Sequence, residues 1–553
     1  MMEYTTKNID VIIAICLGFF WLIFIDTIGL KFSPDSMDYM IYAMEMHYAV
    51  DFSSSPLLPP VYPFLINLFM FFNPFPAEAA ALLSGISILL FFIIFTLILK
   101  RFSQNVFLNS LFLLTLFTFI GLSPISLLVS SEVAFSLFLV LNFYFVIKHY
   151  ETKSLKYYLL AAIFVSLAAL TRYIGYSLIA TFFVYTIYFL IIQNQEKSGS
   201  KNHLWHKYLF LNSLTYIPSL LYLGNNYMIS HTFHGQRYPS NLTIFENVLS
   251  TFKVFKSDIS FFLWLLLTIS IVLYFFLMMA KKYLLAKQHT SLVLSYILFF
   301  ILTYTTIVVY TASQVKIDPI QSRYFSPIYS YFFLFIFISF KNTLHLLKME
   351  RANKYFYNSL QIVLYSLVLA TFLTYAKDYT QSIKNIFQKQ HTAAYYSEAG
   401  FKLSTTSKKF NSYFKNRFTQ HDQLYVSVID RYRYNAVGAF FFRESIINDP
   451  IFKHLSFENV KPHEGDVWSP DFTISFSLNH KKKSLIYRNL YRPIDAKQLI
   501  KTIRHLFKEE TNSFLLIVDK GWKGKDFLPF SSKNIKITFE KSIEPYRIYK
   551  VMR

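Results

Sequence analysis

The sequence has almost no cysteine. Cys16 is the only one among 553 residues, which excludes a disulfide framework and a cysteine-based metal site. Charged residues are also scarce, at 16% of the chain, whereas 54% of the residues are hydrophobic and 20% aromatic. This composition excludes a soluble globular protein of this length, because the apolar residues come in blocks long enough to span a membrane.

Acidic residues are outnumbered by basic ones. The chain has 54 Lys and Arg against 32 Asp and Glu, a formal net charge of +22. From residue 377 onward there are 31 Lys and Arg and 17 Asp and Glu, so this part alone carries +14. A basic excess can indicate nucleic acid, but in a membrane protein the anionic lipid head groups explain it. We therefore expect membrane lipids, and no nucleic acid, as partners.

Eleven apolar stretches have a length that suits a membrane-spanning helix. No small-residue cleavage site follows the first stretch, so we interpret it as a membrane helix and not a signal peptide. Four prolines within residues 56–63 interrupt the chain, and residues 64–72 are too few to span, so we expect them at the membrane surface. The eleven stretches are residues 11–30, 78–99, 106–122, 133–147, 157–170, 175–192, 208–224, 259–280, 291–312, 325–340 and 356–376.

Positive charge predicts the orientation of these helices. With the N-terminus inside, the inner loops and Lys7 hold 16 Lys and Arg, and the outer loops hold 7, as the positive-inside rule requires. An odd number of helices then places the C-terminal part outside. We therefore expect a multi-pass protein of the inner (plasma) membrane, with a cytoplasmic N-terminus and an extracytoplasmic active site and C-terminal domain.

The composition changes near residue 377, which predicts three parts. Residues 1–376 form a transmembrane catalytic domain with its first outer loop at 31–77, and residues 377–421 form a linker or an amphipathic helical segment. Residues 422–553 alternate like strands around one helix at 494–508, which predicts a small α/β domain. Its strands are predicted at residues 424–429, 439–442, 472–476, 484–487, 514–519, 535–539 and 546–551.

An acidic stretch follows the first apolar stretch. A helix that begins at Pro34 would place on one face Asp35, Asp38, Tyr39 and Tyr42. Two carboxylates and two phenols at a membrane surface suit acid–base chemistry, so we predict a catalytic role for the carboxylates and substrate binding by the phenols. The alternative is that Asp35 only favours the helix N-terminus and that Asp38 is solvated.

Further polar groups fall in the predicted outer loops, and we predict that they bind substrate. A histidine–arginine loop suits an anionic group, and its two histidines lack the carboxylate pattern of a metal site. We therefore expect no cofactor, and a divalent metal stays open as an alternative that these residues do not support. The alternatives are a dipole-stabilised Glu at a helix N-terminus and an Arg that anchors a helix at the interface. The residues are Glu132, Arg172, His231, His234, Arg237, Arg323 and Tyr324.

Several short motifs follow one another along the chain. Ser33-Pro34-Asp35-Ser36 is followed by Tyr39, Ala43 and Pro59-Pro60-Val61-Tyr62-Pro63. Later come Ser131-Glu132, Ala169-Leu170-Thr171-Arg172-Tyr173-Ile174-Gly175 and Arg323-Tyr324-Phe325-Ser326-Pro327. Together they resemble the polytopic glycosyltransferases of the C superfamily, which include protein mannosyltransferase and aminoarabinose transferase relatives.

This resemblance covers about residues 10–376. It implies an all-α polytopic membrane bundle that transfers a sugar from a polyprenyl-phosphate donor, with inversion, by an Asp base in the first loop. Carried over, that base is Asp35. Many relatives have a paired Asp-Glu in this loop, whereas the second carboxylate here is Asp38, three residues on, so the choice between the two carboxylates stays open.

Transfer of a sugar from a lipid-linked phosphosugar would need both carboxylates and cationic groups, and the predicted outer loops contain both. The acceptor hydroxyl, on a glycan, a lipid or a protein, requires a base, and the phosphate leaving group requires cationic stabilisation.

One alternative is an envelope polysaccharide polymerase or ligase, which would use the loop from His231 to Arg237 and leave Asp35 dispensable. The other is a non-enzymatic transporter, but the sequence has no internal repeat and its ionisable residues cluster at helix ends.

The charge asymmetry makes a testable prediction about orientation. Reporter fusions after Arg101, Glu151, Gly199 and Lys348 should read cytoplasmic, because these residues lie in the loops rich in Lys and Arg. Fusions after Asp51 and His421 should read external. A cytoplasmic reading after His421 would show that the number of spans is even.

Overall fold

The computed structural model describes most of the helical part and a share of the C-terminal part. The described residues of the helical part are 8–31, 34–44, 46–47, 58–73, 76–121, 127–196, 201–233, 239–279, 288–315, 319–349 and 354–388. Those of the C-terminal part are 409, 412–414, 416–417, 422–429, 457–462, 472–478, 481–489, 499–501, 503–504, 507, 513–519, 528–532, 534–543 and 546–553.

The first of these parts is entirely helical apart from its connections. Its α-helices are α1 Ile9–Ile28, α2 Pro34–Met44, α3 Val61–Met70, α4 Pro76–Phe102, α5 Val106–Gly121, α6 Ser131–Thr152, α7 Leu155–Thr171, α8 Tyr176–Glu196, α9 Lys201–Ser230, α10 Ile244–Asp258, α11 Phe261–Met279, α12 Gln288–Gln314, α13 Ser322–Met349 and α14 Lys354–Gln388. A short 3₁₀ turn, Tyr173–Gly175, precedes α8.

Each of the eleven predicted apolar stretches is helical, but they do not all have the length and composition of a span. Seven of the described helices do, or eight if α10 and α11, which bend by 115° at their junction, are one broken span. Helices α5 and α7 have 16 and 17 residues, about 25 Å at 1.5 Å per residue, which is shorter than the hydrocarbon core. A membrane bundle is confirmed, and the count of eleven spans stays a prediction.

Small residues allow the first two long helices to approach closely. A Cβ atom added at Gly18 of α1 would lie 2.7 Å from the Cα of Leu89 in α4, and one added at Gly85 of α4 would lie 2.8 Å from Leu22 of α1. Neither distance leaves room for a side chain. Close packing of backbones through small residues is the usual way in which helices associate in a membrane.

Helix α13 occupies the middle of the bundle. Residues 327–340 are buried throughout, although the stretch is rich in aromatic residues. Its rings pack edge to face with those of neighbouring helices, as Phe337 does with Phe112 of α5. The helix therefore has fixed neighbours on all sides, and its first turn, which holds Arg323, begins at a defined place.

The C-terminal part forms one mixed sheet of eight described strands. The order is β2-β3-β4-β1-β5-β8-β7-β6, with β1 parallel to both β4 and β5 and the other neighbours antiparallel. Leu499, Ile503 and Phe507, at helical spacing, pack on its face. The strands are β1 Gln423–Ile429, β2 Phe457–Pro462, β3 Phe472–Leu478, β4 Lys481–Asn489, β5 Ser513–Asp519, β6 Phe530–Ser532, β7 Ile535–Ile543 and β8 Tyr546–Met552.

Several elements differ from the sequence-based prediction. Helix α14 runs without a break from Lys354 to Gln388, past the predicted end of the span at residue 376 and into the segment predicted as a linker or an amphipathic helix. Helix α10 and strands β2 and β6 were not predicted. The predicted strand 439–442 lies outside the described residues. The other six predicted strands are present, and a small sheet in the C-terminal part is confirmed.

A buried ion pair lies at the end of the bundle opposite to Asp35, which we call the Lys100 end. The Nζ atom of Lys100 in α4 lies 3.1 Å from Oδ1 of Asp10 in α1, whose side chain is 1% exposed. The amide of Asn109 in α5 donates to the other carboxylate oxygen at 3.0 Å. The pair thus joins three helices around one buried charge.

Removing the cation from this pair should destabilise the fold. We expect Lys100→Met to cost about 3–5 kcal/mol, because it leaves the buried Asp10 carboxylate without its counter-ion. Thermal unfolding of the purified protein in detergent measures the loss. Arg101→Gln is a matched control, since the Arg101–Glu151 pair is half-exposed and should contribute less than about 1 kcal/mol. Equal effects of the two substitutions would contradict this account.

Candidate active site at the Asp35 end of the bundle

Helix α2 is tied to the start of α6 by backbone and side-chain bonds. The chain before α2 pairs with the chain before α6, because Lys31 N–H donates to Leu127 O at 2.6 Å and Val129 N–H donates to Lys31 O at 2.9 Å. The buried hydroxyl of Ser36 then donates to Val129 O at 2.5 Å. Asp35, in the first turn of α2, is therefore held at a fixed distance from α6.

The start of α6 carries the next group of the site. Glu132 forms an ion pair with Arg172, and Arg172 also donates to the hydroxyl of Ser131 at 3.2 Å. The hydroxyl of Tyr39 lies 3.1 Å from that of Ser131. These four side chains, which we call the Glu132 network, connect α2, α6 and the corner between α7 and α8.

The corner that supplies Arg172 is tight. Arg172 is extended and is followed by the 3₁₀ turn. A Cβ atom at Gly175 would lie 2.5 Å from the carbonyl oxygen of Ala168, so only glycine fits there. This turn directs the guanidinium back into the bundle instead of toward the surface.

Burial governs the charges in the Glu132 network. Burial, the largest single influence, lowers the pKa of Arg172, but the charge and hydrogen bond of Glu132 together with the nearby Tyr39 and Tyr304 raise it by more, so the net pKa of Arg172 lies above its usual value. Burial also raises the pKa of Tyr39 above the usual value of a phenol. Both shifts favour a charged Arg172 and a neutral Tyr39.

The second cation lies directly beside the catalytic candidate. Nη1 of Arg323 is 3.9 Å from Oδ2 of Asp35, and the side chains are 15% and 54% exposed respectively. The guanidinium also donates to the hydroxyl of Tyr324 at 3.3 Å and lies 5.1 Å from the centre of its ring. The result is an enclosed, oriented cation next to a carboxylate that solvent can reach.

Not every predicted site residue comes to this place. Asp38 and Tyr42 are on α2 as predicted and are half-buried. His231 is exposed at the end of α9 with a positive φ of 53°, and its ring lies 6.3 Å from that of Tyr227 in this helix. His234 and Arg237 lie outside the described residues.

Some residues of the site carry little sequence signal. Tyr304 lies inside an apolar stretch of α12, yet its hydroxyl donates to the carbonyl of Tyr324 at 2.6 Å. Ser131 is a small polar residue that the sequence distinguishes only as the neighbour of Glu132, yet its hydroxyl joins Tyr39 to Arg172. No three His, Cys, Asp or Glu side chains come together as a metal site within the described ranges. The expectation that no metal is needed stays a prediction.

Comparison with known proteins bears on this arrangement. Residues 58–222 match the dolichyl-phosphate-mannose-protein mannosyltransferase family. The structure of ArnT from Cupriavidus metallidurans bound to undecaprenyl phosphate is similar over 98% of both chains, with a TM-score of 0.55 and 11% identity. The same protein in its apo state covers 100% of this chain and 98% of its own, with a TM-score of 0.53 and 10% identity. A comparison with curated proteins found no match.

The predicted resemblance to the C superfamily of membrane glycosyltransferases is confirmed. At 11% identity the structural likeness concerns the fold of this superfamily and no particular residue. The family match contains Glu132 and Arg172 but ends before Arg323 and begins after Asp35. The family match therefore says nothing about the Asp35–Arg323 pair, whose possible role rests on the geometry of this chain.

The Glu132 network predicts a graded loss of stability. We expect Glu132→Gln to cost about 3–5 kcal/mol, because the buried Arg172 guanidinium loses its counter-ion. Tyr39→Phe removes one neutral hydrogen bond and should cost about 0.5–1.5 kcal/mol. Thermal unfolding in detergent measures both. If Glu132→Gln were as stable as the parent, Arg172 could not depend on this carboxylate.

Proposed function

We propose that the chain is a membrane glycosyltransferase that moves a sugar from a polyprenyl-phosphate-linked donor to a hydroxyl of a glycan, lipid or protein acceptor. The observation that carries this proposal is the solvent-accessible Asp35 carboxylate 3.9 Å from the enclosed Arg323 guanidinium. A base and a phosphate-binding cation are the two groups that the reaction needs, and here they are neighbours.

In this proposal Asp35 is the general base. Its carboxylate accepts the proton of the acceptor hydroxyl as that oxygen attacks the anomeric carbon. The bond between the sugar and the phosphate oxygen breaks, and the lipid phosphate leaves with the electron pair. One displacement of this kind inverts the anomeric configuration.

In this proposal Arg323 binds the phosphate that leaves. A guanidinium presents several donors in a planar fork and binds phosphate oxygens more specifically than an ammonium does. Its contacts with Tyr324 fix the plane of the fork. Because the cation is already oriented, negative charge that develops on the leaving phosphate is stabilised without rearrangement.

The Glu132 network has a supporting role in this mechanism. Arg172 is bonded to Glu132 and Ser131, so its main role in this proposal is to fix the start of α6. Through Ser131 it holds Tyr39, one turn after Asp35 on α2. We propose that Glu132, Arg172 and Tyr39 bind substrate mainly by shaping the pocket around Asp35.

Three further points belong to the proposal. The site and the C-terminal domain face the outside of the inner membrane, as the charge of the loops predicts, and no metal takes part. The undecaprenyl phosphate in the structure of ArnT supports a polyprenyl-phosphate carrier. Asp38, one turn after Asp35, is the alternative base, and the sugar depends on parts of the pocket that these residues do not define.

The rival functions predict a different dependence on these residues. A polymerase or ligase that works from the histidine–arginine loop would not need Asp35. His231 is exposed and contacts its own helix, whereas Asp35 lies beside Arg323. Within the described residues, the geometry therefore favours a transferase that works at α2.

Loss of the base should abolish most of the activity. We expect Asp35→Asn to lower the rate of transfer by about 10²–10⁴-fold, since this is the usual contribution of a positioned base, while Asn keeps the size of the side chain. Asp38→Asn should cost less. The sugar is first identified as the one missing from envelope glycans, lipids and proteins of a deletion strain by mass spectrometry, and transfer is then measured in membranes at matched expression.

Two outcomes of this experiment would change the assignment. If Asp35→Asn transfers at the parent rate and Asp38→Asn is inactive, the base is Asp38. If both variants are fully active, α2 does not carry the chemistry, and the loop that follows His231 becomes the better candidate. Glu78→Gln is a suitable control, because this carboxylate accepts from Asn73 in the adjoining loop.

A further inference from the structure

Asp258 ends helix α10 at the corner where α11 turns away by 115°. Its carboxylate accepts two short hydrogen bonds from α13. The Ser322 hydroxyl donates to Oδ1 at 2.7 Å, and the Tyr329 hydroxyl donates to Oδ2 at 2.6 Å. Both carboxylate oxygens are thus engaged by the helix that carries Arg323.

The two donors are spaced so that they hold a helix and not a single side chain. Ser322 is the first residue of α13, and Tyr329 is seven residues later, on the same face. A carboxylate near a helix N-terminus is also stabilised by the helix dipole. Asp258 therefore fixes both the position of the first turn of α13 and the rotation of the helix about its axis.

A third helix fixes Asp258 itself. The Tyr375 hydroxyl of α14 donates to the backbone carbonyl of Asp258 at 3.1 Å and accepts the N–H of Ser260 at 2.8 Å. The ring of Phe119 lies 4.8 Å from that of Tyr375 and 4.9 Å from that of Tyr329. The corner is consequently attached to α14 as well as to α13.

We propose that Asp258 is a positioning residue, which holds the first turn of α13 so that Arg323 stays opposite Asp35. Arg323 follows Ser322 directly, so any shift of this turn moves the guanidinium. Misplacement of a binding group by 1 Å can cost about 10²-fold in rate. The consequence for catalysis rests on the proposed function, whereas the mechanical role of Asp258 does not.

Hydrogen–deuterium exchange tests the mechanical role without a substrate. We expect Asp258→Ala in the full-length purified protein to raise amide exchange in residues 322–325, because each lost bond to a charged acceptor is worth about tenfold or more in a local opening constant. Asp258→Asn, which still offers one carbonyl oxygen, should lie between Ala and the parent. Glu246→Gln is the matched control, since it removes a carboxylate from the capping box at the other end of α10.

The control should leave exchange at residues 322–325 unchanged. Equal exchange there in Asp258→Ala and the parent would overturn the proposal. So would an equal rise in Glu246→Gln, because Asp258 would then only stabilise α10.

Binding of undecaprenyl phosphate tests whether Asp258 acts through Arg323. We expect Asp258→Ala to weaken binding about tenfold in the parent background and not to weaken it further in an Arg323→Ala background. A merely structural role would produce the same loss in both backgrounds and would overturn the proposal. Absence of binding by the parent would instead count against the proposed function, and the exchange experiment would still decide the role of Asp258.

Discussion

The Asp35 end of the bundle depends on burying one ion pair. Glu132 and Arg172 are held in a low-dielectric surrounding, where an uncompensated charge of either sign would be costly. Because each needs the other, the start of α6 and the corner after α7 cannot separate. Arg172 also donates to the hydroxyl of Ser131, which in turn is hydrogen-bonded to the hydroxyl of Tyr39, and these bonds connect the pair to α2. A polar network inside a membrane bundle thus fixes the position of α2, the helix that carries Asp35.

The arginines at this end of the bundle differ in their surroundings, and the proposal gives one of them a structural role and the other a role in the reaction. Arg172 is enclosed and bonded within the protein, and Arg323 is enclosed but beside an accessible carboxylate. The two arginines therefore differ in role although they are chemically the same. The hydroxyl of Tyr304 and the carboxylate of Asp258 hold the helix of Arg323 from two sides. Each group that acts on substrate in this proposal has a neighbour that orients it.

The fold and the chemistry of the site support the proposed function in different ways. The similarity to ArnT extends over nearly the whole chain at low identity, and it concerns the fold alone. A fold by itself does not specify a reaction. What favours glycosyl transfer from a lipid phosphate is the adjacency of Asp35 and Arg323, together with a bundle that places both at one end of its helices.

The sequence by itself determined the membrane class, the helical segments and most of the strands. Spanning helices and alternating strands each have a periodicity that the chain displays locally. It also singled out Asp35, Glu132, Arg172 and Arg323, because charged groups near apolar stretches are costly unless they have a partner or a task. Sequence order could not show that Glu132 pairs with Arg172 while Arg323 faces Asp35. It gave no reason to choose Tyr304 or Asp258, since the partners of both lie on other helices. Only tertiary packing decides which distant charges meet, because Coulombic and hydrogen-bond energies depend on distances that a linear sequence does not contain.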